Sequence, residues 1–181
     1  MAQFYSALTE DLKEFIRQQQ LFFVATAAAT GSINLSPKGM DSFKVISDSE
    51  VAWLNLTGSG NETAAHIQQH NRMTLMFCSF AKQPLILRLY GSARMCQADD
   101  NQWQQALSLF PSLPGARQVF FMAIEKVQTS CGFAVPKYEF VEQRATLKRW
   151  AESKGEENIR AYWKEKNQQS IDGFATQIPI E

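Results

Sequence analysis

The chain has 181 residues, of which 45% are hydrophobic and 20% are charged, a composition typical of one globular domain with a full hydrophobic core. Eighteen basic residues balance eighteen acidic ones, so the charge gives no footprint for nucleic acid or for an anionic membrane. The apolar run 21–30 is too short to span a bilayer and the acidic N-terminus argues against a signal peptide, so we expect one cytoplasmic domain over 1–181.

The first third of the chain predicts one helix followed by two β-hairpins. Leu8, Leu12 and Ile16 share one face at helical spacing, which predicts a helix over 6–20. The apolar run after it turns at Gly31 into a second extended segment, and "SFKVIS" and "EVAWLNL" flank another turn at 47–49. Extended segments on both sides of a short polar turn are typical of hairpins.

The sequence of the rest of the chain predicts more strands and then C-terminal helices. "RMTLMFCSF" and "PLILRLYGSARM" predict a third hairpin, and 116–130 predict a long strand. A helix opened by Asp99 or Asp100 lies between them, and two helices over 144–153 and 156–168 are divided by Gly155. Six or seven antiparallel strands with helices at the margins, the C-terminal ones from about 143, favour a mainly β fold. We expect a closed or nearly closed barrel, because closure removes exposed strand edges.

The segment 56–67, "LTGSGNETAAHI", places two glycines and several hydroxyl groups before a predicted helix. Ser59 and Glu62 have the spacing of a capping box, and the free N–H groups at a helix start carry partial positive charge. Gly58 and Gly60 permit close approach and unusual backbone angles. Two interpretations stay open: a well-capped helix, which the local sequence favours, and a nest of neutral donors for a phosphate.

Four charged or titratable side chains stand out elsewhere. Lys38 in "NLSPKGM" is either a surface lysine or a cation for a phosphate or an anionic flavin ring. Arg88, inside an apolar strand, either faces solvent or points to an anion in a cleft. His66 and His70 lie four residues apart, but zinc needs a third ligand, so we expect partly exposed helix histidines and no metal site. The three widely spaced cysteines predict reduced thiols rather than disulfides.

Six segments, taken in order, resemble the pyridoxamine phosphate oxidase-like family of FMN-binding split barrels. They are "FFVATAAATGSINLSPKGM", "LTGSGNETAAHI", "RMTLMFCSF", "PLILRLYGSARM", "SCGFAVP" and "KNQQSIDG", and they cover nearly the whole chain. The resemblance implies a six-stranded antiparallel split β-barrel with flanking helices. It also implies a homodimer with FMN in a groove between the two subunits.

The resemblance further implies where the FMN phosphate binds. In the family the phosphate is held by the second strand of the first hairpin and by the turn and helix start after the next one. A strand position that faces the flavin region in relatives corresponds to Arg88. We favour a role of Lys38 at the flavin ring or the substrate, because the turn already supplies phosphate donors. The implied cofactor-binding residues are Ser36, Pro37, Lys38, Thr57, Gly58, Ser59, Gly60, Asn61, Thr63 and Arg88.

Departures from the family pattern argue against oxidation of pyridoxamine phosphate itself. True oxidases have an Arg-Lys pair where this chain has Glu62 and Thr63, and of their substrate-phosphate clamp only Arg117 is kept. No histidine follows His70 to form their C-terminal substrate motif. We therefore expect an FMN protein that transfers hydride through flavin N5 to or from an unidentified small substrate, with no catalytic residue assigned. The alternatives are a flavin-binding protein without turnover and, less favoured, a haem or deazaflavin protein.

Overall fold

One antiparallel sheet, curled into an open barrel with helices at its margins, makes up most of the protein. The structure is a computed structural model and describes residues 2–180. Its strands are β1 (Gln3–Tyr5), β2 (Phe22–Ala27), β3 (Ile33–Lys38), β4 (Phe43–Val45), β5 (Glu50–Leu56), β6 (Arg72–Cys78), β7 (Ile86–Gln97) and β8 (Ala116–Ser130). Its helices are α1 (Glu10–Arg17), α2 (Glu62–Gln69), α3 (Trp103–Leu107) and α4 (Thr146–Lys166).

The strand order defines a split barrel. It runs β3-β2-β6-β7-β8-β5-β4, and β1 pairs with the far end of β8. No pairing within residues 2–180 joins β3 to β4, so the barrel stays open between these two strands. The mainly β, antiparallel split-barrel fold is thus confirmed. The structure has eight strands rather than the six that the resemblance implied, and two of them, β1 and β4, are only three residues long.

The three predicted hairpins and the long strand are confirmed, and their alternating residues build the core. The inward side chains of β2, β6 and β7 meet those of β5 and β8 in one apolar cluster that is closed to solvent. Stacked and edge-to-face aromatic pairs fill its centre, among them Trp53 with Phe120 and Phe22 with Phe77. This packing gives the strands around the barrel opening a rigid base.

The helix boundaries differ from the predicted ones. α1 begins later than expected, because the side chain of Thr9 accepts the N–H of Leu12 and so caps the helix at Glu10. α3 begins after Gln102, and Asp100 does not cap it because its carboxylate accepts the N–H of Gln97 instead. The predicted division of the C-terminal helix is confirmed: Gly155 has φ of 70°, which interrupts α4.

No helix between residues 2 and 180 combines the length and the apolar character needed to cross a bilayer.

Candidate functional site

A cleft of about 330 Å³ lies where β3 faces the turn between β5 and α2. Two segments that are far apart in the sequence meet here, as the resemblance implied. We call it the Lys38 cleft. Of the predicted site residues, it is lined by Ser36, Lys38, Gly58, Ser59, Gly60, Asn61 and Thr63. Its other lining residues are Asn34, Asn55, Leu56, Glu62, Arg117 and Ile171.

The alternation of β3 decides which of its side chains reach the cleft. Asn34, Ser36 and Lys38 are half-buried and line it, whereas Leu35 and Pro37 point to the exposed outer face. The predicted residue Pro37 therefore belongs to the strand that carries the site but does not line the cleft. The pairing of Phe22 with Lys38 joins the end of β3 to β2 and fixes its position.

Thr57 supports the turn from behind and does not face the cleft. Its hydroxyl donates to the carbonyl of Gly115 over 2.7 Å and accepts the indole N–H of Trp163 over 2.8 Å. The hydroxyl is buried, and its proton is already used within the protein. We correct the direct ligand role expected for Thr57 to a supporting one.

The start of α2 also differs from the expected capping box. The helix begins at Glu62 after Asn61, and no side chain caps it. The Glu62 carboxylate accepts the backbone N–H of Ile171 at 3.2 and 3.1 Å, so it is turned toward the C-terminal segment. Neither Gly58 nor Gly60 has a positive φ, so this turn does not use the left-handed conformation that glycine permits. The first N–H groups of α2 are therefore left without a side-chain cap.

A hydrogen-bond network centred on Asn34 orients the hydroxyl groups of the cleft. Its amide donates to both Thr63 and Thr26 over 3.2 Å, and its carbonyl oxygen accepts the hydroxyl of Ser36 over 2.9 Å. Thr26 in turn contacts Nδ1 of His66 at 3.1 Å. The proton of Ser36 is thus committed to Asn34, whereas Thr63 accepts from Asn34 and its own proton has no acceptor within residues 2–180.

Two cations face the cleft without an acidic partner. Neither Lys38 nor Arg117 forms an ion pair with a carboxylate among residues 2–180. Burial, together with the charge of Arg117, lowers the pKa of Lys38 to about 8, and the ammonium lies 5.3 Å from the centre of the Trp53 ring. Burial lowers the pKa of Arg117 to about 10. Proteins rarely bury unpaired cations, so this pair indicates a site for an anion.

Arg117 presents one free edge of its guanidinium group. Its side chain is only 3% exposed, and Nη1 donates to the carbonyl of Gly60 at 3.0 Å and to Oδ1 of Asn167 at 2.9 Å. Nε has no partner although it is buried, and no hydrogen bond within residues 2–180 uses Nη2. The Nε–Nη2 edge carries two parallel N–H groups, which can bind an oxyanion with two parallel hydrogen bonds. The buried amide nitrogen of Asn61, which also lines the cleft, is without a partner too.

The sequence did not identify Arg117 as a cofactor residue. It stood out only as a remnant of a substrate clamp, although an arginine that opens the apolar strand "ARQVFFMAI" already indicated a buried charge in need of a partner. Asn167 was also missed. It lies 50 residues farther along the chain than Arg117, and no local pattern connects the two.

Arg88 and the histidines lie outside the cleft. Arg88 is half-buried on the outer sheet face, paired with Met76 and Gln128, and it donates to Ser130 over 3.2 Å. His66 is buried rather than partly exposed, and His70 lies just beyond the end of α2. Among residues 2–180, no group of three or more His, Cys, Asp and Glu side chains is placed to hold a metal ion.

A larger cavity of about 540 Å³ lies between α1 and β4, but its charges are balanced. Lys13 pairs with Glu10 and Asp48, and the two other cations that line it are also paired, Arg17 with Glu14 and Lys44 with Asp41. The smaller Lys38 cleft is therefore the better candidate for an anionic ligand.

Comparison with known proteins agrees with the fold. The curated pyridoxamine 5'-phosphate oxidase family protein ustO of Aspergillus flavus is 43% identical over 138 residues, which are 74% of this chain and 55% of that protein. The chain thus spans about half the length of this relative. A crystal structure of a candidate pyridoxamine 5'-phosphate oxidase from Lactobacillus delbrueckii is similar in fold. The match covers 68% of this chain and 94% of the Lactobacillus chain, at 25% identity and a TM-score of 0.56. A crystal structure of a HupZ variant from Group A Streptococcus is also similar. The match covers 67% of this chain and 98% of the HupZ chain, at 22% identity and a TM-score of 0.54.

The family assignment rests on a match that spans most of the fold. The family model described as pyridoxamine 5'-phosphate oxidase matches residues 8–131, which include α1, all strands from β2 to β8 and both segments of the Lys38 cleft. The C-terminal helix α4 and the segment after it lie outside that match. The chain belongs to the pyridoxamine 5'-phosphate oxidase family.

Proposed function

We propose that the chain is an FMN-binding flavoprotein whose Lys38 cleft holds the cofactor phosphate, and that it transfers hydride between flavin N5 and a small substrate. The observation that carries the proposal is the pair of cations, Lys38 and Arg117, which face one cleft with no acidic partner among residues 2–180. Membership of the pyridoxamine 5'-phosphate oxidase family supports FMN as the anion that they bind.

The chemistry of the cleft fits a phosphate monoester. Such a group carries a charge of about −1.5 to −2 at neutral pH, which two cations balance. Neutral donors are available from the Thr63 hydroxyl, the Asn61 amide and the N–H groups at the start of α2. Glu62 also lines the cleft, but its carboxylate is turned toward the N–H of Ile171.

The positions of Lys38 and Arg117 explain how the cleft can bind a phosphate without the Arg-Lys pair of the true oxidases. The Arg-Lys pair that those enzymes have at the start of this helix is Glu62-Thr63 here. In this chain the positive charge comes from β3 and β8 instead, through Lys38 and Arg117. We therefore expect the phosphate to bind at the same turn with cations supplied from its other side.

FMN, when bound, would supply the redox chemistry, because its ring accepts and donates hydride. The residues of the chain bind the phosphate, orient the ring and limit the access of water. A hydride step requires no acid or base from the protein, so no catalytic residue is proposed. The alternative function is flavin binding without turnover.

The visible absorption spectrum of the purified protein tests the proposal. We expect flavin bands, tighter binding of FMN than of riboflavin after reconstitution, and bleaching when NADH or NADPH is added without oxygen. Flavin bands that persist with both reductants would favour the alternative without turnover. A haem Soret band in a protein that does not bind flavin would contradict the proposal.

Two hydroxyl groups of the cleft give a matched pair of variants. Because Thr63 keeps a free proton and Ser36 does not, Thr63→Val is expected to weaken FMN binding roughly tenfold and Ser36→Ala much less. Fluorescence titration with FMN and with riboflavin measures the effect. Equal losses for the two flavins in Thr63→Val would show that this hydroxyl does not contact the phosphate.

We also propose that the protein is a homodimer with FMN between the subunits. The outer face of β3 leaves Ile33 and Leu35 78% and 64% exposed, and the segment after β8 leaves Val141 89% exposed. Ile33 and Leu35 are neighbours on one face of β3, and adjacent exposed apolar side chains of this kind are typical of protein interfaces. We expect light scattering to report a dimer and Leu35→Asp to weaken both dimerisation and FMN binding. A monomer that binds FMN fully would contradict this part of the proposal.

A further inference from the structure

Asn167, the residue that follows α4, connects the cleft turn with the buried cation Arg117. It is fully buried, and its amide nitrogen donates to the carbonyls of Gly58 at 3.1 Å and Ser59 at 3.3 Å. Its amide oxygen accepts Nη1 of Arg117 at 2.9 Å. One side chain from the C-terminal segment thus bonds to both parts of the site.

These bonds determine the direction of the peptide groups in the turn. In a planar trans peptide, the C=O of one residue and the N–H of the next point in opposite directions. Asn167 holds the carbonyls of Gly58 and Ser59 on one side, and Arg117 holds that of Gly60 on the same side at 3.0 Å. The next three N–H groups, those of Ser59, Gly60 and Asn61, must therefore point the other way.

Those three N–H groups have no partner within residues 2–180. Ser59, Gly60 and Asn61 all line the Lys38 cleft, so these unpartnered N–H groups belong to its wall. Successive N–H groups that converge in this way form a nest for an anion. Asn61 and Arg117, which both line the cleft, each carry a buried nitrogen without a partner, Nδ2 of Asn61 and Nε of Arg117.

Asn167 is itself held firmly by its surroundings. Its N–H donates to the carbonyl of Trp163 over 2.9 Å, and its carbonyl accepts the hydroxyl of Thr176 over 2.6 Å. Trp163 adds a second connection to the turn through Thr57. All these C-terminal residues lie beyond residues 8–131, which the family model matches.

We propose that Asn167 is a positioning residue that turns three backbone N–H groups toward the anion and holds Arg117 through Nη1 at the same cleft, so that the C-terminal segment completes the phosphate site. The proposal rests on the phosphate-binding function assigned above to the Lys38 cleft. It assigns Asn167 no contact with the cofactor.

The test measures the ratio of FMN affinity to riboflavin affinity in four proteins: wild type, Asn167→Ala, Asn167→Asp and the control Asn158→Ala. Asn158 is an exposed asparagine of α4 whose amide bonds only to the carbonyl of Lys154. We expect the ratio to fall roughly tenfold or more in both Asn167 variants and to stay unchanged in the control. A purely structural role would weaken both flavins equally and leave the ratio constant.

A second measurement uses the wild-type protein and inorganic phosphate, so it does not depend on whether a variant folds. We expect the amide signals of Ser59, Gly60 and Asn61 to shift together in ¹H–¹⁵N NMR spectra as phosphate is added, and to shift little in Asn167→Ala. Amide signals that do not respond in a wild-type protein that prefers FMN would overturn the role of Asn167.

The outcomes separate this inference from the proposed function. A wild-type protein without preference for FMN over riboflavin would refute the phosphate site, and Asn167 would lose its role with it. A preference that persists in Asn167→Ala would refute the positioning role alone. Loss of the preference in Asn167→Asp only would assign the effect to the added charge, and this result also overturns the positioning role.

Discussion

Replacing Arg117 by methionine is expected to lower the affinity for FMN by about 100-fold or more and to leave the affinity for riboflavin nearly unchanged. Hydrogen bonds to a charged group contribute about 1.5–3 kcal/mol each, and two of them correspond to at least a 100-fold change in affinity. The free Nε–Nη2 edge of Arg117 provides two such donors.

Arg117→Lys should rescue little of this loss. A lysine has one ammonium group, and it cannot donate to the Gly60 carbonyl and to Asn167 while it also offers two parallel bonds to an oxyanion. The length of the side chain and its charge are nearly kept in this variant. The comparison therefore isolates the geometry of the guanidinium group.

Arg94→Met is the matched control for the arginine substitution. Arg94 is exposed, lies 3.9 Å from the centre of the Phe121 ring and pairs with Glu50 at 3.7 Å, and none of these three residues lines the cleft. Its replacement should not change the ratio of the two flavin affinities. Wild-type FMN binding by a folded Arg117→Met protein would remove Arg117 from the site.

Most strands of the fold could be predicted because their signals are local. Each of the strands β2 to β8 alternates or is continuously apolar over a few residues, and polar turns or short helices separate them in the sequence. β1 carries no such signal, since three residues gain strand geometry only by pairing with β8. The helix boundaries depended on single hydrogen bonds, such as that from the N–H of Leu12 to Thr9, and the spacing of apolar residues does not specify them.

The candidate site was predictable only where its residues lie in short segments. The turn before α2 and the end of β3 carried recognisable glycines, hydroxyls and a lysine, and the fold brings them into one cleft. The role of Thr57 could not be predicted, because Gly115 and Trp163 approach it from 58 and 106 residues away. Arg117 and Asn167 could not be predicted as site residues for the same reason. Their roles depend on the hydrogen bond between them and on their hydrogen bonds to the turn, which the sequence does not show.

The structure also changes the expected role of Lys38. The sequence favoured a role at the flavin ring or the substrate. Lys38, however, lines the same cleft as the turn, and burial and the charge of Arg117 lower its pKa. The two positive charges repel each other in the absence of a ligand, so an anion bound between them should stabilise the charged form of both side chains. We therefore now favour a role of Lys38 at the phosphate.

Lys38→Met is expected to weaken FMN binding and to stabilise the cofactor-free protein at pH 7. The pKa of Lys38 is about 8 in the folded protein, against 10.5 for an unperturbed lysine. Below pH 8 the side chain is charged in both the folded and the unfolded states, and its burial then costs stability in the folded state. Each pKa unit corresponds to about 1.4 kcal/mol of stability. Lys38 is half-buried, and its remaining contact with water reduces the effect, so we expect the free energy of unfolding of the variant to rise by roughly 2 kcal/mol.

The two effects have opposite dependence on pH. Between about pH 8 and 10.5 the unfolded state binds more protons at Lys38 than the folded state, so wild-type stability rises relative to the variant and the difference disappears near pH 10.5. FMN prefers the charged ammonium, so its dissociation constant should rise up to about tenfold per pH unit above pH 8 in the wild type and stay flatter in Lys38→Met. Chemical denaturation and flavin titration from pH 7 to 9.5 measure both. A variant that is less stable than the wild type at pH 7, and whose FMN affinity follows the same pH profile, would show that Lys38 is neither a buried charge nor a phosphate ligand.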